Sequence, residues 1–267
     1  MLSLFLTSFH RLPNSCQHLI LKSTRLRALR KLLYWILLRR HSRQGLRSTL
    51  VAQRPIRTVV HAGAHRGQEA WFYEALGAST VVWIEADPVN FGHLAKYVKS
   101  FQRAGINQIP VQACLSEFPG REVTLVRYSN ERASNSIAPE TPLFAQMWPG
   151  IRPTGETLHL MTSTLREICT NVRLAEKPGH PRLLVIDVQG HELEVLRGAG
   201  VSILSLFDLI QVEVSVIPIY AGANSTQVEE FLKLCDFQRI TPPVDDHGDL
   251  TFANRRTTAN RLASEKT

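Results

Sequence analysis

Three short stretches of this 267-residue chain carry residues that could do chemistry where buried strands end. The first, VVHAGAHRGQ, joins a β-branched pair to His61 and two glycines, Gly63 and Gly67. Glycines allow a tight turn and close approach to a ligand, and a helix beginning near Gly67 would offer free amide donors to a carboxylate or phosphate. The second stretch ends at Glu85, 22 residues beyond Gly63, where a carboxylate can accept both hydroxyls of a ribose. The third ends at Asp187, ahead of Gln-Gly.

The spacing of these residues excludes several common sites. No G-x-x-x-x-G-K-[ST] is present, and the glycine spacing is G-x-x-x-G, which argues against a triphosphate loop and weakens the case for a dinucleotide. His61 and His65 are separated by a glycine-containing turn and have no evident third ligand, so we expect no metal. A single ribose acid with one glycine turn fits a mononucleoside cofactor, and S-adenosylmethionine is the obvious one.

After Pro55 the chain alternates strand-like and helix-like segments, which predicts an α/β fold with a doubly wound, mostly parallel sheet. The predicted parallel strands are 58–61, 80–84, 111–115, 183–187 and 209–216, with helices at 67–76, 88–101, 190–198 and 226–235. An interruption holds a strand at 122–128, the polar loop SNERASNSIAPETP, an edge segment at 157–161 and a helix at 163–174. Segments 237–240 and 250–253 are expected to form a final antiparallel pair. Ligands of such sheets bind beyond the carboxyl ends of the strands.

The basic character of the chain belongs to its N-terminal arm, residues 1–53. Residues 1–57 hold twelve Lys and Arg and no acid, whereas the other 210 residues hold 19 bases and 23 acids. Residues 18–40 suit a basic amphipathic helix, and three interpretations stay open: contact with an anionic membrane surface, docking on a domain or partner, and organelle targeting. No apolar run near the start reaches the roughly 18 residues of a spanning helix.

Composition further suggests a cytoplasmic protein without a nucleic-acid partner. The four cysteines lie far apart with no C-x-x-C pair, which favours a reducing compartment over a zinc site or a disulfide framework. Outside the arm the chain is slightly acidic and shows no interleaving of aromatic and basic residues, so nucleic-acid binding is not expected. The segment 255–267 reads as a polar tail.

Five segments together resemble the FkbM family of S-adenosylmethionine-dependent methyltransferases. In chain order they are VVHAGAHRGQEA, WIEADPVNFGHL, RASNSI, LLVIDVQGHELEVLRGA and IQVEVSVIPIYAGA, and the resemblance covers about residues 56–254. It implies a class I methyltransferase (Rossmann-like) fold within a domain spanning residues 54–254. It also implies methyl transfer to oxygen, often a hydroxyl of a sugar, glycan or polyketide-type natural product, so the partner would be a small-molecule or glycan acceptor.

The resemblance also implies roles for particular residues. It assigns the methionine end of the cofactor to Gly63, Ala64 and Gly67, and the ribose to Glu85. Ala113 to Ser116 would lie near the adenine, and Asp187 would also contact the cofactor. His61 stands at a cofactor-binding position that is usually held by an acid. The loop from Ser134 to Ser136 would help to close the acceptor site.

An alcohol acceptor needs a base, and Asp187 is the first candidate, followed by His191 and Glu213. Three residues near Asp187 in the predicted site also have an interpretation without a catalytic role. His191 could be a solvated first-turn residue, Glu192 an acid that complements the helix dipole, and Glu213 a strand-end carboxylate bonded to backbone amides.

Three positions depart from the family pattern: His61 replaces a usual aspartate, Val185 a frequent lysine, and Arg166 a common acid. A neutral imidazole attracts the cofactor's ammonium group less than a carboxylate does. The departures therefore leave an alternative function, a catalytically impaired methyltransferase-like module tethered to a membrane or complex by its arm. A dinucleotide-dependent oxidoreductase is a weaker alternative because the denser glycine fingerprint is missing.

Overall fold

A computed structural model describes residues 56–100, 102, 105–176 and 181–256. The described strands are β1 (Thr58–Ala62), β2 (Thr80–Glu85), β3 (Asn107–Gln112), β4 (Cys114–Leu115), β5 (Glu122–Tyr128), β6 (Pro153–Ser163), β7 (Arg182–Ile186), β8 (Leu209–Ser215), β9 (Phe237–Arg239) and β10 (His247–Asn254). The α-helices are α1 (Ala70–Ala75), α2 (Pro88–Lys99), α3 (Pro142–Met147), α4 (Leu165–Asn171), α5 (Glu192–Leu204) and α6 (Ser225–Leu234).

Seven strands form one sheet in the order β3-β2-β1-β7-β8-β10-β9. β1 pairs in parallel with both β2 and β7, β2 pairs with β3 and β7 with β8 in parallel, and β10 runs antiparallel to β8 and β9. This arrangement confirms the predicted doubly wound, mostly parallel sheet with an antiparallel C-terminal strand. The strand order reverses between β1 and β7, which is where such sheets bind their ligands.

The three central strands owe their position to apolar runs that are buried on both faces. Every residue of β1, β2 and β7 is buried, as expected of parallel strands covered by helices on each side. Neighbouring side chains enter different cores: Val59 packs with Tyr73 and Trp83, while Val60 packs with Leu196 and other residues on the opposite face.

The predicted interruption forms a separate three-stranded sheet of order β4-β6-β5. The predicted strand 111–115 is divided, because β3 ends at Gln112 and the following pair, β4, leaves the main sheet to pair with β6. β6 is also longer than the predicted segment 157–161, since it pairs antiparallel with most of β5. Helix α3 was not predicted, although Thr141 caps it and Pro142 begins it, which is a recognisable start signal.

Two helix starts differ from the predictions for reasons of local bonding. α1 begins at Ala70 and not at Gly67, because Gly67 lies in a left-handed turn at φ +75° whose amide donates to the carbonyl of Ala64. The amides of Gly67 and Ala70 are therefore bonded to backbone carbonyls and are not the free donors expected there. α4 begins at Leu165, where Thr164 and Glu167 form a capping box.

The two ends of the chain are not among the residues that the structure describes. The predicted arm (1–53) and residues 257–267 of the predicted tail are outside the described residues. None of the described helices is long and apolar enough to cross a membrane.

Gly63→Ala is expected to lower the free energy of unfolding by roughly 3 kcal/mol or more. Gly63 has φ +81°, and a Cβ atom there would lie 1.7 Å from the carbonyl oxygen of Asp187. The matched control is Gly92→Ala inside α2, where the added methyl meets no atom within 4 Å and a gain of about 0.5–1 kcal/mol is expected. Urea unfolding of the full chain measures both; equal effects at the two sites would contradict the strand contact at Gly63.

Candidate active site

An open cleft lies at the carboxyl ends of the central strands. We call it the cofactor cleft. Its lining includes Gly63 after β1, Glu85 at the end of β2, residues 113–115 after β3 and residues 187–189 after β7. The structure thus brings together the strand-end segments that the sequence predicted to meet.

Glu85 is a buried carboxylate held by backbone amides. Its Oε2 accepts the N–H of His65 and its Oε1 accepts the N–H of Asp87, each at 2.8 Å. Burial raises the pKa of Glu85 to about 7, although these hydrogen bonds partly offset the effect. Each oxygen keeps a second lone pair, so the carboxylate can accept two further hydrogen bonds from a ligand.

Asp87 ties the loop above the cleft to the start of α2. Its carboxylate caps α2 by accepting the amides of Val89 and Asn90. It also accepts Arg127 Nε at 2.7 Å and Asn135 Nδ2 at 3.0 Å. Burial raises its pKa, but Arg127 and the amide donors outweigh this and leave the pKa below its usual value.

Residues 129–137, which we call the serine loop, run along the cofactor cleft and are fastened at three places. Glu131 accepts Arg66 Nη1 at 2.5 Å, Asn135 binds Asp87, and Ser136 Oγ donates to the carbonyl of Gln189 at 2.6 Å. The predicted closing role for residues 134–136 is consistent with these bonds, which join the loop to both sides of the cleft.

Asp187, Gln189 and Glu213 form one hydrogen-bonded group at the edge of the cleft. Gln189 Nε2 donates to Asp187 Oδ1 at 2.6 Å and to Glu213 Oε2 at 2.7 Å. Burial and the charge of Glu213 raise the pKa of Asp187 well above its usual value. Burial also raises the pKa of Glu213, but hydrogen bonds from His247, Asp187 and Gln189 outweigh it, so the net shift is downward. The two carboxyls are therefore coupled, and a proton is held more readily by Asp187 than by Glu213.

His247 continues this group away from the cofactor cleft. Its Nε2 lies 3.1 Å from Glu213 Oε1, and its Nδ1 lies 2.8 Å from Ser215 Oγ. Burial lowers the pKa of His247, but Glu213 raises it more, and the net shift is upward.

His191, the second candidate base, lines the cofactor cleft. Its Nε2 lies 3.0 Å from Ser116 Oγ and its Nδ1 lies 3.6 Å from Glu194. Burial lowers the pKa of His191, with a partial opposing effect from Glu194. The imidazole is thus partly buried, with 19% of its side chain exposed, and it has bonding partners, which favours a role in the cleft over a solvated position. Ser116 does not line the cleft and reaches it only through His191.

Glu192 caps the turn that follows β7. Its carboxylate accepts the amides of Val188 and Gly190 at 3.0–3.1 Å. Burial raises its pKa to about 7. This residue therefore fixes the shape of the turn, a more specific role than a favourable position in the helix dipole.

His61, a predicted cofactor contact, lies in the core and not at the cleft. Its side chain packs between Tyr73 and Trp83, and Tyr73 Oη lies 3.0 Å from Nδ1. Burial lowers the pKa of His61 to about 3, so the imidazole is neutral. Val185 is the direct partner of His61 in the β1–β7 register, so two of the three departures from the family pattern are neighbours.

Ala64 and Gly67 also lie away from the cofactor cleft. Ala64 is buried in the same core as Tyr73, and a Cβ atom on Gly67 would meet the Leu94 and Val98 side chains of α2. These two residues shape the turn after β1, and of the predicted methionine-end residues only Gly63 lines the cleft.

Several residues of the site were not predicted from the sequence. Asp87 could have been found from the Asp-Pro start of α2, and Tyr220, whose Oη donates to Gln189 Oε1 at 3.1 Å, stands in the quoted segment IPIYAGA. No local signal marks Arg127 or His247, because each bonds a partner far away in the sequence: Arg127 bonds the cap of α2, and His247 bonds the neighbouring strand β8. Within the described part of the chain, no three His, Cys, Asp or Glu side chains are grouped to hold a metal ion.

Comparison with solved structures gives distant likenesses. A methyltransferase FkbM from Methylobacillus flagellatus is 15% identical with a TM-score of 0.43, over 78% of this chain and 46% of that one. The chain therefore spans about half the length of that protein. A magnesium protoporphyrin IX methyltransferase from Synechocystis with bound S-adenosylmethionine is 10% identical (TM-score 0.38; 76% and 72% covered). A precorrin-6y C5,15-methyltransferase from Geobacter metallireducens is 12% identical (TM-score 0.40; 76% and 82% covered).

The family model gives the assignment. No curated protein matches the chain by sequence. The model of the methyltransferase FkbM domain matches residues 61–239, which contain β1, β2, β7 and β8 with the acids at their ends. The protein belongs to the FkbM family of S-adenosylmethionine-dependent methyltransferases.

Proposed function

We propose that this methyltransferase transfers the methyl group to a hydroxyl oxygen, on a sugar, a glycan or a polyketide-type natural product. The observation that carries the proposal is the bonded group beside the cofactor cleft, in which the Gln189 amide donates to the carboxyls of Asp187 and Glu213. An alcohol oxygen attacks only as it loses its proton, so a buried carboxyl held at a fixed position is suited to this substrate.

The residues of the cleft fit S-adenosylmethionine. The cofactor carries positive charge on its sulfonium and ammonium groups, and Glu85 and Asp187 are carboxyls whose pKa values are raised, mainly by burial. Glu85 would hold the ribose hydroxyls through its free lone pairs, residues 113–115 would lie against the adenine, and Gly63 and Asp187 would face the methionine end. When bound, the cofactor supplies a methyl group on a positively charged sulfur.

The carboxyl pair would then accept the hydroxyl proton. A positive charge in the cofactor cleft would favour the ionised form of Asp187, which is the form that can act as a base. Gln189 holds both carboxyls in place, so the proton is received at a fixed position and the acceptor oxygen is oriented at the same time.

The alternative of an impaired binding module is not favoured. The ribose acid, the glycine turn and the acids after β7 and β8 are all present, and His61 lies in the core without touching the cofactor cleft. The predicted contact of residues 18–40 with an anionic membrane falls outside the described residues and stays a prediction.

Glu85→Gln is expected to weaken binding of S-adenosylmethionine roughly ten- to a hundredfold, because a charge-assisted hydrogen bond contributes about 1.5–3 kcal/mol. In the wild type, Glu85 is protonated below its pKa of about 7. It must lose this proton before its charged carboxylate can accept hydrogen bonds from the ligand. Affinity should therefore rise from pH 5 to 7 and level off above 7. The affinity of the Glu85→Gln variant should rise less steeply with pH.

Calorimetric titration in two buffers of different ionisation enthalpy measures both the affinity and the protons released. Glu122→Gln, at an exposed carboxylate on β5, is the control and should behave as the wild type. Wild-type affinity in the Glu85 variant would exclude Glu85 from the cofactor site.

Asp187→Asn is expected to lower the rate of hydroxyl methylation at least a hundredfold, since general bases typically contribute 10²–10⁴. The measurement is transfer of a labelled methyl group to a panel of neutral glycosides and hydroxylated polyketides. Asp245→Asn, an exposed carboxylate outside the cleft, is the matched control and should keep the wild-type rate. An undiminished rate in Asp187→Asn would remove Asp187 from the role of base, and methylation restricted to nitrogen or carbon acceptors would overturn the proposed hydroxyl specificity.

A further inference from the structure

Tyr220 lies behind the cofactor cleft, in the segment that follows β8, and its side chain is buried. The Tyr220 hydroxyl donates to the side-chain oxygen of Gln189 at 3.1 Å. Gln189 lines the cleft, whereas Tyr220 is not among the residues that line it. Tyr220 can therefore act on the reaction only through Gln189.

The position of Tyr220 is fixed by close contacts of its own backbone segment. A Cβ atom on Gly190 would lie 2.5 Å from Tyr220 Cβ, and one on Gly222 would lie 1.9 Å from the carbonyl oxygen of Gly190. The Tyr220 ring also packs against Phe144 of α3, with 5.4 Å between the ring centroids. The hydroxyl is therefore held at one place relative to the turn after β7.

The bonds of the Gln189 side chain define which end of its amide is the oxygen. An amide can be turned through 180° with almost no change in shape, so its partners decide the orientation. Nε2 donates to Asp187 Oδ1 at 2.6 Å and to Glu213 Oε2 at 2.7 Å, which uses both N–H groups. Oε1 is left to accept the Tyr220 hydroxyl. Burial raises the pKa of Tyr220, so its hydroxyl keeps its proton and remains a donor.

Gln189 depends on these bonds because its backbone is strained. Its φ is +56°, a left-handed value that disfavours residues other than glycine. Ser136 Oγ donates to its backbone carbonyl at 2.6 Å, and Asp187, Glu213 and Tyr220 hold its side chain. Strained residues persist where the surroundings hold them firmly, often at functional sites. Removal of the Tyr220 hydroxyl would leave the amide oxygen without this partner, and the side chain could then turn or move away.

We infer that Tyr220 is a positioning residue for methyl transfer, which keeps the two N–H groups of Gln189 on Asp187 and Glu213. The inference rests on the proposed function, in which Asp187 accepts the hydroxyl proton. Hydrogen bonds donated to a carboxylate favour its ionised form, and this is the form that can act as a base. If the amide turned, its oxygen would face both carboxyls, and Asp187 would have to keep its proton to bond with it. Tyr220 thus controls how readily Asp187 accepts a proton.

Other titratable groups also act on Asp187. Burial raises its pKa most, followed by Glu213 of β8 and then by Glu192 of α5. Glu213 in turn interacts with His247 and Asp249 of β10. The titratable residues that line the cleft together with Asp187 are His65, Glu85, Cys114, Arg132 and His191. The tyrosine hydroxyl can be removed without replacing any of these groups.

Tyr220→Phe removes only the hydroxyl, and Tyr128→Phe is its matched control. Both tyrosines are buried and pack on the ring of Phe144. The Tyr128 hydroxyl, however, donates to Glu140 at 2.8 Å and not to Gln189. A loss of packing or of a buried hydroxyl in this aromatic cluster would therefore affect both variants, whereas a change at the amide would appear only in Tyr220→Phe.

The measurement is a pH titration of the full chain, followed by NMR of aspartate side-chain carboxyls labelled with carbon-13. The signal that is lost in Asp187→Asn belongs to Asp187. Its titration midpoint is expected to rise by about one pH unit in Tyr220→Phe, because a hydrogen bond to a carboxylate contributes about that much. Tyr128→Phe should keep the wild-type midpoint, and S-adenosylhomocysteine affinity should stay within twofold of wild type in Tyr220→Phe.

Gln189→Met removes the amide and is the second variant. It should raise the Asp187 midpoint at least as far as Tyr220→Phe does. Adding Tyr220→Phe to Gln189→Met should cause no further change, because the hydroxyl acts through the amide. For a hydroxyl acceptor that the wild type methylates, the pH of half-maximal kcat should rise together with the midpoint in Tyr220→Phe.

An Asp187 midpoint that is unchanged in Tyr220→Phe or in Gln189→Met overturns the role of Tyr220. An equal shift in Tyr128→Phe does so as well, as does a further shift when the two variants are combined. A kcat profile that stays fixed while the midpoint moves overturns the link to methyl transfer, and the proposed function stands in each of these cases. Methylation restricted to nitrogen or carbon acceptors overturns the proposed function, and this inference with it.

Discussion

The contact between Gly63 and the carbonyl oxygen of Asp187 is the constraint on which the site depends. The Asp187 amide donates to the carbonyl of Ala62 at 3.0 Å, and the Gly63 and Ala64 amides both donate to the carbonyl of Ile84 at 2.9 Å. The ends of β1, β2 and β7 are thus tied together at the point where strand order reverses. Glu85 and Asp187 are positioned on either side of Gly63 by backbone bonds, so their separation does not depend on flexible side chains.

Buried acids give the protein a cost that a cationic ligand would remove. Burial raises the pKa values of both Glu85 and Glu192 to about 7, above those of the unfolded chain. Between pH of about 4.5 and 7 the unfolded state binds fewer protons than the folded state. The free energy of unfolding therefore falls as the pH rises, by up to about 1.4 kcal/mol per pH unit for each group. A positive charge in the cofactor cleft favours the ionised form of Glu85 and offsets part of this loss. Under the proposed function, cofactor binding and folding stability would therefore be coupled through Glu85.

The sequence predicted the sheet and its strand-end acids because both leave local signals. Buried parallel strands appear as apolar runs, and Glu85 and Asp187 stand directly at the ends of two such runs. Contacts that join distant segments leave no such signal, which is why the bonds of Arg127 to Asp87 and of His247 to Glu213 were not foreseen. Periodicity also could not show that Gly67 faces α2, or that the strand predicted at 111–115 would divide between two sheets.

The departures at His61 and Val185 are best understood as one exchange. They are partners across the β1–β7 register, inside the core that covers one face of the sheet. An acid and a lysine at these positions would be two opposite charges on adjacent strands, and a buried ion pair can be replaced by neutral packed residues with little or no loss of stability. Changing one partner alone would leave an uncompensated buried charge, a penalty of about 3–5 kcal/mol, so the two replacements belong together. Here the imidazole is neutral and bonded to Tyr73. With no charge at position 61, the acids that would attract a cationic cofactor under the proposed function are Glu85 and Asp187, which line the cleft itself.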